Sequence, residues 1–168
     1  MANTKNFNPG DLVLADTGTG AWAFVLASNV LTFDHTDADD TSTVAISIPR
    51  GEFGDKVQDA LKKITVTYTV VTAALEAAPT AVLNRNSWVE STGVYTRAAV
   101  TQALTFGGAD SVGTAAGAGA AGTHTAIVTI ADADVLNRTS LRNYMLEVTF
   151  NAATTTVLKI TGVSIEYV

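Results

Sequence analysis

Few side chains in this sequence are able to do chemistry, and their spacing does not bring them together. There is no cysteine, and His35 and His124 are the only histidines. A nucleophilic triad needs a histidine beside a hydroxyl or thiol, held in turn by a carboxylate. Serine and threonine are so frequent here that proximity in sequence singles out no nucleophile, and no catalytic residue is assigned. His124 lies opposite in strand parity to Thr123 and Thr125. It is therefore expected to face a core or a subunit contact. No histidine or cysteine spacing suits zinc.

Two denser patterns come closer to a site. Asp34, His35, Asp37, Asp39 and Asp40 fall within seven residues. Calcium takes several oxygens at once, but the glycine and glutamate of an EF-hand loop are missing from this run. Aspartate is also favoured in turns, so the expectation is a solvated acidic loop and no metal site. Gly117, Gly119 and Gly122 have the spacing of a dinucleotide-binding turn. That mechanism requires a strand before the glycines and a helix N-terminus after them. A Gly/Ala run precedes this one and a threonine-rich strand pattern follows it, so no cofactor is assigned.

The aromatic residues offer recognition rather than catalysis. Trp88 sits in the polar run Asn86-Ser87-Trp88-Val89-Glu90, with Tyr95 close behind it and Trp22 far upstream. Aromatic rings on a β-sandwich can stack on sugars. Tryptophan more often packs in a core or a subunit interface, which is the favoured use here. Trp88, Tyr95 and Trp22, with Leu12 and Leu14 near the start, are the candidate interface or ligand contacts.

The elements that must carry these residues are strands. Residues 43–49, 64–71, 123–130 and 144–150 alternate apolar and polar, the period of a half-buried strand. Shorter runs at 22–26 and 30–33 flank Ser28-Asn29, and a hairpin is expected from 82–90 and 94–106 around Ser91-Thr92-Gly93. One short helix is expected over 55–63, from Val57, Ala60 and Leu61 with Asp55 at its start and Lys62-Lys63 at its end. Helical turns are suggested at 73–81 and 132–141, and a flexible Gly/Ala loop at 107–122. In 156–168 the parity slips between Leu158/Ile160 and Val163/Ile165/Tyr167, which predicts a β-bulge near Thr161-Gly162. Turn signals about every 8 to 12 residues indicate an all-β, antiparallel sandwich or barrel. Residues 1–20 read as an extended N-terminal arm or a first edge strand, and 21–168 as a single β-sandwich domain.

Composition narrows the function classes. The net charge is −6, with 10 Lys plus Arg scattered along the chain, so no basic stripe for nucleic acid is visible. No apolar run approaches the roughly 18 residues of a membrane-spanning helix. The polar first residues lack the charged start and apolar run of a signal peptide, so a soluble product made in the cytoplasm is expected. Charged residues are 15%, low for a globular chain, which suggests a surface partly covered by other subunits or simply a neutral polar one.

Two segments resemble a known family. Asp39-Asp40-Thr41-Ser42-Thr43-Val44-Ala45-Ile46-Ser47-Ile48-Pro49 is similar to the first core strand of small jelly-roll proteins of tailed bacteriophages. Thr156-Val157-Leu158-Lys159-Ile160-Thr161-Gly162-Val163-Ser164-Ile165-Glu166-Tyr167-Val168 resembles their closing strand. The resemblance implies a jelly-roll virion protein, a capsid decoration or cement protein that is not an enzyme. It further implies the major capsid protein and a homotrimer of itself as partners, a place on the capsid surface, and an arm at 1–20 that orders there. The alternative is a tail, fibre or carbohydrate-binding β-sandwich module using Trp88 and Tyr95.

Overall fold

The alternating pattern is realised as thirteen antiparallel strands in the computed structural model, which describes residues 3–9, 13–18, 21–25, 28–34, 40–48, 59–72, 74–89, 91–108, 119–130, 135–136, 141–152 and 156–167. The strands are β1 (Asn3–Phe7), β2 (Val13–Gly18), β3 (Ala21–Val25), β4 (Val30–Asp34), β5 (Asp40–Ile48), β6 (Asp59–Thr72), β7 (Ala77–Val89), β8 (Val94–Ala99), β9 (Gln102–Gly107), β10 (Gly122–Ile130), β11 (Val135–Leu136), β12 (Leu141–Ala152) and β13 (Val157–Tyr167). An eight-stranded sheet has the order β3-β4-β13-β6-β10-β9, with β1 on β13 and β11 on β6. A five-stranded sheet has the order β2-β5-β12-β7-β8. Between β4 and β7 the chain changes sheet at every connection, a jelly-roll manner of winding a sandwich.

The core lies between the sheets because one parity of each long strand is apolar. Ile64, Val66, Tyr68 and Val70 of β6 and Leu158, Ile160, Val163 and Ile165 of β13 are buried. They face Val44, Ile46 and Ile48 of β5 and Tyr144, Leu146, Val148 and Phe150 of β12, also buried. Each such side chain contributes about 1.5–3 kcal/mol through burial. Tyr68 meets Phe150 edge-to-face at 5.4 Å, an aromatic contact between the two sheets. His124 is fully buried 5.3 Å from the Tyr68 ring, with its Nε2 2.8 Å from the Ala120 carbonyl. A carbonyl only accepts, so Nε2 carries the proton. His124 is thus a core residue, as its parity indicates.

The predicted bulge is present. The ladder between β13 and β6 shifts between Ile160 and Gly162, which returns Val163 and Ile165 to the buried face. A Cβ on Gly162 would meet Thr67 only at 3.9 Å, so the extra residue, and not a glycine, makes the bulge. Within the segment read as an arm, β1 pairs with β13 and β2 with β5, the edge-strand alternative.

Other expectations are corrected. The one short helix does not form over 59–63, which opens β6; residues 55–58 lie outside the described ones. Ala60 and Leu61 instead prolong a strand whose register shifts between Glu166 and Tyr167, so helical spacing there came from a bulged strand. Of the turn suggested at 73–81, residues 77–81 are the start of β7, where Pro79 sits at a register shift opposite β12, and residue 73 lies outside the described residues. Proline has no N–H to give a ladder, and an irregularity tolerates it. Val135 and Leu136 form β11, not a helical turn. The run 94–106 is two strands in different sheets, broken at Val100-Thr101. Gly122 opens β10 without a helix, so the nucleotide-turn spacing has no anion-binding terminus behind it.

Candidate functional site

Strand parity decides which side chains reach the outer face of the five-stranded sheet. Ile46, Leu146 and Leu83 form one fully buried cross-sheet row, so their neighbours in sequence point outward. On β7 the outward positions include 82, 84 and 86; on β8 they are 95, 97 and 99; on β12 they include 145 and 147. Across the ladder this gives three rows. Trp88 stands opposite Tyr95, Asn86 opposite Arg97, and Asn84 opposite Ala99. The hairpin that sets this register turns at Gly93, whose φ of 66° lies in the left-handed region that glycine enters freely.

The face combines an exposed ring with buried amides. Tyr95 is 58% exposed, whereas Asn84 and Asn86 are each 6% exposed although they lie on an outward face. Asn84 is covered by an ion pair that crosses β7: the Arg97 Nη2 donates to Glu147 Oε2, and Asn84 Nδ2 donates to the same oxygen at 2.9 Å. Asn86 differs. Its Oδ1 is buried and has no hydrogen-bond partner. A buried carbonyl oxygen left unmatched costs about 1–3 kcal/mol, and such groups are rare in folded proteins. The edge beside these rows is built firmly. Where β8 leaves the sheet, Leu83 N–H donates to Gln102 Oε1 at 2.9 Å and Gln102 Nε2 donates to the Ala81 carbonyl at 2.6 Å. The amide of Gln102 thereby replaces a missing peptide group.

The candidate residues do not all converge. Tyr95 and Trp88 are brought together as cross-strand partners. Trp22 lies in the other sheet, opposite Phe33. Leu14 is in β2, at the far edge of the five-stranded sheet from β8, and Leu12 lies outside the described residues. Of the acidic cluster, residues 35–39 lie outside the described residues, and among those described no group of three or more histidine, aspartate or glutamate side chains could hold a metal. Sequence reasoning missed Asn84, Asn86, Arg97 and Glu147. The alternation of Asn84 and Asn86 with Arg85 and Ser87 was the available signal, since it makes β7 polar at outward and inward positions alike.

A second concavity lies on the opposite face of the molecule. Asn6, Asn8, Thr67, Thr161, Gly162 and Ser164 line a shallow groove at the β13 bulge. There β1 has ended along β13 and β4 has not yet begun, which leaves the bulge without a strand on that side.

No family model matches the chain, and no curated protein matches it. Among solved structures, it is similar to a xylan-binding module, CBM86, from Roseburia intestinalis, at 12% identity and TM-score 0.44, over 99% of this chain and 96% of that one. A mannan-recognising module, TmCBM27, aligns at 10% identity and TM-score 0.43, over 99% and 98%. TmCBM61, solved with β-1,4-galactotriose, aligns at 8% identity and TM-score 0.41, over 89% and 86%. A capsid decoration family is not shown. Likeness this distant says nothing of a ligand, and the functional reading rests on the residues of this chain.

Proposed function

We propose that the chain is a non-catalytic binding module whose outer five-stranded face takes a neutral carbohydrate. The observation that carries this is the exposed Tyr95 ring, cross-strand from Trp88, with the unpartnered Oδ1 of Asn86 buried one row away. An aromatic ring offers the flat apolar surface that the C–H face of a pyranose covers, and a sugar hydroxyl would donate to the Asn86 oxygen once it displaces the side chains that cover it. The charge of Arg97 is balanced by Glu147, so the face favours a neutral chain over an anionic one. From residue 82 to residue 88 the strand runs about 20 Å at ~3.4 Å per residue, room for several sugar units in a row.

The test is calorimetric titration of the intact protein with a panel of neutral oligosaccharides. Binding to at least one is expected, and Tyr95→Ala and Trp88→Ala are each expected to weaken it about tenfold or more, the loss of a stacking contact. A protein that binds none of them, and that is recovered from virus particles in fixed ratio to a shell protein, is a capsid decoration protein instead. That outcome would sink the carbohydrate reading.

A further inference from the structure

Among the described strands β8 ends the five-stranded sheet, and its outer side borders the same face. All six residues of β8 are exposed, including Val94 at 48% and Tyr95 at 58%. Natural sheet edges are guarded by bulges, prolines or lysines that deter another strand. This edge has none of them. Its ladder to β7 runs unbroken from Asn84↔Ala99 to Val89↔Val94, and its one charge, on Arg97, is already engaged by Glu147. The opposite edge of the same sheet, β2, carries a register shift between Val13 and Ala15.

The hydrogen-bond phase of β8 defines what would fit. Val100 N–H donates to the Leu83 carbonyl at 2.8 Å. Along an antiparallel ladder the direction alternates, so residues 94, 96 and 98 bond to β7 while 95, 97 and 99 aim their N–H and C=O groups outward. A second β8 can use these groups only where outward residues oppose outward residues. Centring the pair on Arg97 opposes like charges, which is unfavourable. Centring it on Thr96 opposes Tyr95 to the partner's Arg97, so no like charges face each other, and brings Thr96 against the partner's Thr96 at a non-hydrogen-bonded position.

We propose that two copies of this chain pair antiparallel through β8 about a two-fold axis at Thr96. That axis stands perpendicular to the sheet, so both outer faces look the same way, with Tyr95 of each copy opposite position 97 of the other. The consequence, a doubled face that binds a polymer at two points with higher avidity, rests on the carbohydrate reading. The strand pairing itself does not. One six-residue edge buries less than the roughly 1,200 Å² of a standard interface, so the dimer is expected to be concentration-dependent.

Sedimentation equilibrium of the full chain, with and without substitution, tests this. The expected result is a monomer–dimer equilibrium that Thr96→Lys weakens about tenfold or more by opposing two ammonium groups. The chain has no cysteine, so Thr96→Cys gives a clean register probe. Oxidised Thr96→Cys is expected to cross-link into a covalent dimer, and Ala98→Cys is not, because non-hydrogen-bonded Cα atoms lie about 4.5 Å apart, within disulfide reach. A chain that stays monomeric, a trimer, or a dimer indifferent to Thr96→Lys would each overturn the proposal, as would equal cross-linking at the two positions. A dimer that binds no sugar sinks only the carbohydrate reading; a monomer that binds sugar sinks only the pairing.

Discussion

The two outward faces of this sandwich are both polar, yet they are built differently. On the eight-stranded sheet, Thr65, Thr67 and Thr69 of β6 stand in rows with Ser164 of β13 and with Thr123 and Thr125 of β10. These groups satisfy one another or water. Thr69 Oγ1 lies 3.0 Å from Thr123 Oγ1, and Lys63 Nζ lies 2.6 Å from Glu166 Oε2. On the five-stranded sheet, two asparagines are sunk to 6% exposure, one bonded to the carboxylate of an ion pair and the other with an unmatched oxygen. A hydroxylated surface only needs to be wet. A buried amide without a partner carries a penalty in the free protein that a ligand relieves. The difference sets the second face apart, in keeping with the proposed recognition role, and polarity alone would not have done so.

Substitutions can break or sharpen this contrast. The largest effect lies beneath both faces. Phe150→Ala is expected to destabilise the fold by about 3–5 kcal/mol, by leaving a cavity against Tyr68. Denaturant unfolding checks it, and a loss under about 1 kcal/mol would mean that the sheets are not locked by this contact. Tyr68 adds a pH dependence. Burial pushes its phenol well above the ordinary value of about 10. Its neutral form is favoured in the folded state, so its contribution is intact below about pH 10 and declines as the pH rises beyond it. Tyr68→Phe is expected to flatten that alkaline decline, and unchanged curvature in pH-dependent unfolding would contradict it.

Smaller effects separate the faces directly. Asn84→Ala is expected to lower stability by about 1 kcal/mol, because Asn84 is bonded to Glu147. Asn86→Ala is expected to leave stability within about 0.5 kcal/mol, since it removes an oxygen that was unsatisfied. The same Asn86→Ala change is expected to weaken sugar binding about fivefold to tenfold, the worth of one hydrogen bond. Thr67→Ala on the other face serves as the control, with no effect on binding. Should Thr67→Ala and Asn86→Ala weaken binding equally, the contrast between the faces fails.

Much of the fold was legible because a half-buried strand writes its own pattern. Ile64 to Val70 and Tyr144 to Phe150 alternate so cleanly that their buried parity could be assigned residue by residue. Even the slip at Thr161-Gly162 was visible, since only a bulge restores Val163 and Ile165 to the core. The helix at 55–63 misled because Ala60 and Leu61, read there as helically spaced, belong to a strand that skips a residue in its ladder with β13. Pro79 and Ala77–Ala78 misled in the same way.

By itself, then, the order of residues determined that the chain is nearly all β, which apolar side chains of the long strands lie inside, and that the register slips at Thr161-Gly162. These follow from local sterics and from the period of the strand. It also placed Trp88 and Tyr95 close enough for a hairpin to pair them. Only the tertiary structure decided that Asn86 lies buried on an outward face, that Arg97 reaches across β7 to Glu147, and that β8 is the last of the described strands in its sheet. Those facts depend on which strands become neighbours across 50 residues between Arg97 and Glu147, and no short-range pattern encodes a contact of that span.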